Sequence, residues 1–130
     1  MRQVESIQMK TIFKSMTSEK KARQKQAEFE RKTGVKWDRY STGMGMVFTP
    51  VITKDTPLDN DAAQTLVDKL PCRDYISFVK IAELTELELS VILSGAKTLV
   101  MQRKAISSVN RMGNFSGIKI TGTGVGNFIS

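Results

Sequence analysis

The chain of 130 residues contains no histidine and one cysteine, and both facts exclude common kinds of chemistry. Without histidine there can be no Ser-His or Cys-His nucleophile pair and no metal site with a histidine ligand. Cys72 cannot form an internal disulfide, which fits a reducing compartment, and no imidazole is present to activate its thiol. We therefore expect a protein that is not an enzyme and that needs neither a cofactor nor a metal.

Long apolar runs are missing as well. The longest are only a few residues, such as 91–93 and 99–101, whereas a membrane helix needs about 20. The first residues contain no unbroken apolar segment of the kind that a secretory signal requires. Hydrophobic content of 40% and charged content of 25% are ordinary for a globular protein. The sequence therefore predicts a cytoplasmic protein that does not bind membranes.

Acidic residues are absent from the last third of the chain, and the net charge of +7 is unevenly distributed. Residues 1–36 contain ten Lys or Arg and four Asp or Glu, which gives a net charge of +6. Residues 37–90 contain five Lys or Arg and nine Asp or Glu, which gives a net charge of −4. Residues 91–130 contain five Lys or Arg and no Asp or Glu, which gives a net charge of +5. Two basic ends around an acidic middle suggest two basic lobes that meet on one polyanion, or ends that partly neutralise the middle.

The first basic region is predicted to be helical. Four apolar residues near its start have the i, i+3, i+4, i+7 spacing of one helix face: Met9, Ile12, Phe13 and Met16. Thr17 or Ser18 could cap a second helix, or one long helix could continue to about Lys32. Gly34 follows two cations and is a typical helix stop. Since few apolar residues follow Met16, we expect this basic helix to project from the core.

The middle of the chain predicts a hairpin followed by helices. Residues 35–48 alternate between apolar and polar around a turn at 41–43, which indicates a β-hairpin. A helix is expected from Thr56-Pro57 to Leu70, because Pro is tolerated in the first helical turn. A short helix capped by Asp74 should follow.

The last part of the chain starts with a capping box at 85–88, which opens a helix with apolar residues on one face. Residues 110–114 read as a loop, and Ile118 and Ile120 as a final strand. The predicted class is α+β and mostly helical, with a long basic N-terminal helix, a small antiparallel hairpin or sheet and a C-terminal strand. We expect one domain overall, with residues 1–34 as the basic helical region and residues 35–130 as a compact α+β core.

Residues 87–110 allow two interpretations. In the first, Gly95 is the turn of a helix-turn-helix, and Lys97, Arg103 and Lys104 reach nucleic acid from the second helix. In the second, one helix with a basic tail tolerates this glycine at a cost of about 1 kcal/mol. The bulky Val91, four residues before Gly95, argues against the close helix crossing that the first interpretation needs.

No motif identifies an activity, so charge is the main functional indication. Residues 18–34 contain six Lys or Arg and three Glu, so half of the cations lack a local partner. Our leading hypothesis is a small, basic, non-catalytic protein that binds DNA or RNA and could have a regulatory role. The predicted contacts to phosphates are Lys20, Lys21, Arg23, Lys25, Arg31, Lys32, Lys97, Arg103, Lys104 and Arg111.

The alternative hypothesis is a protein–protein interaction module, such as an inhibitor, an adaptor or an assembly subunit. It depends on the projecting amphipathic helix, whose Met-bearing stripe could be an interface. In that case the partner would be another protein or a second copy of this chain.

Overall fold

The computed structural model describes residues 11–13, 18–70 and 74–121. These residues form a small α+β fold with four helices and two small antiparallel sheets. The strands are Ile12–Phe13 (β1), Trp37–Thr42 (β2), Gly45–Pro50 (β3), Ile76–Ser77 (β4), Ala105–Val109 (β5) and Phe115–Ile120 (β6). The helices are Glu19–Thr33 (α1), Asn60–Lys69 (α2), Phe78–Thr85 (α3) and Leu89–Met101 (α4).

The first sheet has the strand order β1-β3-β2 and contains the predicted hairpin. The hairpin pairs Trp37 with Pro50 at one end and Thr42 with Gly45 at the other. Ser41 and Thr42, predicted as turn residues, therefore belong to β2, and the turn is shifted toward Met44. The Thr42 hydroxyl accepts the N–H of Met44 at 3.0 Å. Thr42 therefore belongs to the strand while its side chain stabilises the turn that follows.

The amphipathic helix predicted across Ile12 and Phe13 is wrong at these two residues. They form β1 and pair with Val47 and Met46 of β3. The ring of Phe13 meets that of Phe48 edge-on at 5.6 Å, so sheet pairing and ring packing override the helical spacing. Met9 and Met16, the other two residues of that stripe, lie outside the described residues.

Helix α1 begins after Ser18, one of the two predicted caps, and ends at Gly34 as predicted; the alternative of one long N-terminal helix is not confirmed, since Ile12 and Phe13 before it form a strand. The Ser18 hydroxyl accepts the N–H of Lys21 at 3.3 Å, and Gly34 adopts a left-handed φ of 74° while its N–H donates to the Glu30 carbonyl. The expectation that this helix projects is wrong, because Ala22 and Phe29 are buried in the main core. Phe29 stacks on Trp37 with ring centroids 4.6 Å apart. One aromatic residue therefore anchors a helix that is otherwise polar.

Helix α1 also covers the free edge of β2 at its first residue, Trp37. The N–H of Val51 donates to the Lys36 carbonyl, so the backbone groups of Trp37 point away from β3. Both are satisfied by α1 side chains: Glu30 Oε2 accepts the Trp37 N–H at 3.1 Å, and Gln26 Nε2 donates to the Trp37 carbonyl at 2.6 Å. Two side chains of a helix therefore replace the missing neighbouring strand.

Helices α2 and α4 cross closely at Gly95, which corrects the helix-turn-helix interpretation. Helix α4 runs without a break through this glycine. A Cβ at position 95 would lie 2.7 Å from the Ala62 carbonyl oxygen, so the glycine provides room for α2 rather than a turn. The predicted start of α2 is also corrected: Asp59 caps it by accepting the N–H groups of Asp61 and Ala62.

The two helix caps predicted on either side of α3 are both wrong. The residue that caps α3 is Ser77, whose hydroxyl accepts the Lys80 N–H, and not Asp74. Thr85, the first residue of the predicted capping box, is the last residue of α3, and its hydroxyl donates back to the Ile81 carbonyl at 2.8 Å. Glu86 then ends the helix with a left-handed φ of 60°, a conformation for which the sequence carries no glycine signal.

The second sheet has the order β4-β6-β5, with a bulge at Ser108/Val109. The loop predicted at 110–114 and the strand predicted at Ile118 and Ile120 are both present. The interpretation of residues 87–110 as one helix with a basic tail holds as far as Met101, where α4 ends; the basic residues 103 and 104 lie in the turn that follows, and β5 begins at Ala105. Arg103, with a left-handed φ of 62°, and Lys104 donate N–H bonds to the Val100 and Leu99 carbonyls and close the helix.

Candidate nucleic-acid interface

The cations of α1 are partly neutralised by glutamates of the same helix. Arg23 lies 3.4 Å from Glu19, while Lys25 and Lys32 lie 3.0 and 3.1 Å from the two oxygens of Glu28. Hydrogen bonds from Lys25 and Lys32 lower the pKa of Glu28 below its ordinary value. Lys25 also lies over the rings of Phe13 and Phe29, at 5.5 and 5.7 Å. These three predicted contact residues therefore have roles within the fold.

Glu19 forms a second local network with β2. Its carboxylate accepts hydrogen bonds from both terminal nitrogens of Arg39, and the Arg39 Nε donates to Gln26 Oε1 at 2.9 Å. The hydrogen bond from Arg39 is the main reason why the pKa of Glu19 lies below its ordinary value. The remaining cations of α1, Lys20, Lys21 and Arg31, are exposed and form no ion pair with any residue that the structure describes.

Lys97 has a structural position. Its ammonium group donates to the carbonyls of Thr53, Lys54 and Thr56 at 3.2, 3.0 and 2.6 Å. All three donor directions of the amine are therefore used to hold the 53–56 turn against α4. Contact with a phosphate would require breaking these bonds, so we leave Lys97 out of the site proposed below.

The second basic region has a different character. Arg103 and Lys104 precede β5, Arg111 lies in the turn after it, and Lys119 lies on β6. In the described part of the chain, none of these four has a carboxylate within 4.0 Å. Their charge is uncompensated at short range, and a polyanion could neutralise it.

Strand pairing brings an exposed ring beside one of these cations. Tyr75 precedes Ile76, which pairs with Ile118, and the Lys119 ammonium lies 5.3 Å from the Tyr75 ring centroid. Lys119 pairs on its other side with Ile106. Side chains alternate between faces along a strand, so Tyr75, Lys119 and Ile106 form one row on the outer face of the second sheet. We call these three residues the Tyr75 row.

Sequence reasoning missed Tyr75 and Lys119. They are 44 positions apart in the chain, and only the β4–β6 register joins them. The available signals were the alternation around Ile118 and Ile120, which marks Lys119 as outward-facing, and the isolated aromatic residue before Ile76.

The two basic regions do not converge on one face of the first sheet. Arg39 of β2 points to α1, whereas the adjacent Asp38 accepts hydrogen bonds from Asn110 and Asn114 in the β5–β6 turn. Adjacent side chains of a strand point to opposite faces, so this turn contacts β2 on the side away from α1. Helix α1 and the turn that carries Arg111 therefore lie on opposite faces of β2.

A groove of about 400 Å³ lies between the two sheets, on that same side. Tyr40, Val47 and Val109 contribute to its lining, and its titratable acid and base are Glu83 and Lys80, which form an ion pair at 3.5 Å. Among the described residues there is no cluster of three or more potential metal ligands. None of the described helices is both long and apolar enough to cross a membrane.

Comparison with known proteins adds no family. No protein-family model matches the chain, and neither a curated protein nor a solved structure shows significant similarity to it.

Proposed function

We propose that the protein is a small non-catalytic nucleic-acid-binding protein whose contact surface is the β5–β6 hairpin. The observation that supports this most is the uncompensated charge of Arg103, Lys104, Arg111 and Lys119 in a segment without acidic residues. The basic helix α1 contributes only long-range attraction in this proposal, because much of its charge is paired locally. Such attraction raises the rate of encounter more than it orders a complex.

The hairpin offers two points of attachment. Arg103 and Lys104 lie before β5 and Arg111 lies after it. At about 3.3 Å per residue the two ends are separated by roughly 20 Å. A nucleic-acid backbone that follows β5 could contact both ends, and each phosphate neutralised would release condensed counterions.

A salt titration with charge-matched variants tests the proposal. We expect the triple variant Arg103→Gln, Lys104→Gln, Arg111→Gln to bind labelled DNA and RNA roughly tenfold to hundredfold more weakly at low salt. Its log–log salt slope should be about 2 to 3 units shallower, since each lost phosphate contact removes about 0.7 to 0.9. Fluorescence anisotropy between about 50 and 200 mM salt measures both quantities.

The control triple variant Lys20→Gln, Lys21→Gln, Arg31→Gln removes the same charge from α1. We expect its affinity to change only a few-fold, since these residues lie outside the proposed contact surface. Equal losses in the two variants would mean that net charge alone governs binding. Absence of binding by the native protein at low salt would contradict the proposal itself.

One observation favours a second candidate function, a module that binds an acidic protein segment. The Thr121 N–H donates to the Lys104 carbonyl, so the backbone groups of Ala105, Ser107 and Val109 point away from β6. Within the described residues no hydrogen bond covers this edge of β5, in contrast to the covered edge of β2. An extended peptide could pair with it as an added strand.

The charges select the type of partner for this edge. In an antiparallel pair of two copies centred on Ser107, Arg103 of one copy would face Arg111 of the other, which disfavours self-association. An acidic strand would meet cations at both ends.

For this candidate we expect Ser107→Pro to abolish binding of a short labelled peptide of alternating Glu and Val. The substitution removes an outward N–H, so the fold and the affinity for DNA should be preserved. If the peptide binds the variant as well as the native protein, or binds neither, the second candidate is wrong.

A further inference from the structure

We propose that the nucleic acid is single-stranded and that the Tyr75 row is its binding platform, an inference that rests on the proposed function. In this arrangement a base stacks on the Tyr75 ring, while Lys119 and the cations before β5 contact the adjacent phosphates. Ile106 supplies apolar contact at the other end of the row. The juxtaposition of an exposed ring, a central cation and an apolar residue on one sheet face carries the inference.

Two large side chains of the row, at its two ends, are exposed to solvent. Tyr75 is 53% exposed and Ile106 is 47% exposed, although both are large and lie on paired or adjoining strand positions. Three other aromatic side chains, those of Trp37, Phe48 and Phe78, are by contrast almost fully buried. A ring left outside the core on a sheet face is available for stacking by a ligand.

The local charges favour a base at the ring and a phosphate beside it. Lys119 is held 5.3 Å from the ring centroid, which places a positive charge at the centre of the row. Asp74, the residue before Tyr75, is exposed, and its carboxylate accepts the backbone N–H of Tyr75 at 2.9 Å. A phosphate would be repelled by this carboxylate and attracted by Lys119, so the backbone of a bound strand should run on the β6–β5 side of the ring.

Stacking of this kind requires a single strand. In a duplex the bases are stacked on each other and paired, and their faces cannot reach a side chain on an open sheet. Single strands expose every base face, and proteins bind them with aromatic rings beside a positively charged surface. The Tyr75 row has both parts, and its short length would hold only a few nucleotides of a longer site.

The decisive probe is a strand that keeps its phosphates but has no bases. We expect the native protein to bind labelled oligothymidine about 5- to 150-fold more tightly than an abasic strand of equal length, the range expected for stacking of about one base. Tyr75→Leu should remove this preference and leave the affinity for the abasic strand unchanged. Tyr75→Phe, which retains the ring, should keep the preference, and Lys119→Gln should weaken binding of both strands.

The outcomes separate this inference from the proposed function. If the native protein binds both strands equally, or binds duplex DNA at least as tightly as oligothymidine, the proposed function stands and the stacking platform is wrong. If neither strand binds at low salt, the proposed function fails and the platform with it. If Tyr75→Leu does not fold, the comparison of the two strands on the native protein and on Tyr75→Phe still decides the question.

Discussion

Replacing Gly95 with alanine should lower the free energy of unfolding by about 1 to 3 kcal/mol, the range for overpacking a well-packed contact. A Cβ at this position would lie 2.7 and 2.8 Å from the carbonyl oxygen and carbon of Ala62. Both are backbone atoms of α2, so they cannot move aside as a flexible side chain could. Helix propensity alone predicts the opposite sign, a gain of about 1 kcal/mol. Urea denaturation of the two proteins measures the difference.

The matched control is Gly43→Ala in the β2–β3 turn. A Cβ at position 43 would meet no atom within 4 Å, and the glycine does not occupy the left-handed region. We expect a change of less than about 0.5 kcal/mol, which is usual for surface substitutions. A stabilised Gly95→Ala variant would mean that α2 and α4 do not cross at this point.

Phe29→Ala should lower the free energy of unfolding by about 3 to 5 kcal/mol, as is typical when a fully buried phenylalanine is truncated. Its ring is 4% exposed, stacks on Trp37 at 4.6 Å and meets Phe48 at 5.5 Å. The substitution removes the main anchor of α1 and weakens the cover over the β2 edge. A helix that projected from the core would lose less than about 1 kcal/mol on the same change.

Thermal and chemical unfolding of this variant should be compared with Leu84→Ala. Leu84 is also a large apolar residue of a helix, but it is 51% exposed, so truncation should cost less than about 1 kcal/mol. Similar losses in the two variants would contradict the docked position of α1.

The sequence predicted those parts of the fold that depend on local chemistry. Ser18 and Gly34 bound α1 because a hydroxyl and a glycine act on groups within a few residues. The hairpin and the final strand follow from alternation with a period of two. The two helix ends that were mispredicted, at Glu86 and Arg103, use left-handed residues that are neither glycine nor asparagine. At those positions packing of the following segment decides the conformation, and propensity gives no warning.

The candidate site was less predictable than the fold. Charge counting found Arg103, Lys104 and Arg111, because the lack of acids after residue 90 is visible in the sequence. It could not distinguish them from Lys97, whose ammonium is occupied by carbonyls of a turn more than forty residues earlier in the chain. The Tyr75 row depends on the pairing of β4 with β6. A strand of two residues shows no alternation in the sequence from which this pairing could be predicted.

The β2 edge and the β5 edge differ in how they are protected, and this difference affects association between copies of the protein in solution. The β2 edge is covered at Trp37 by hydrogen bonds to two side chains of α1. Within the part of the chain that the structure describes, pairing of the β5 edge with another copy is opposed by the repulsion between Arg103 and Arg111, and ions at about 1 M screen charges beyond roughly 3 Å. The tendency of the protein to associate through this edge therefore depends on ionic strength. Concentrated stocks should be kept at low salt, where the repulsion between Arg103 and Arg111 is least screened.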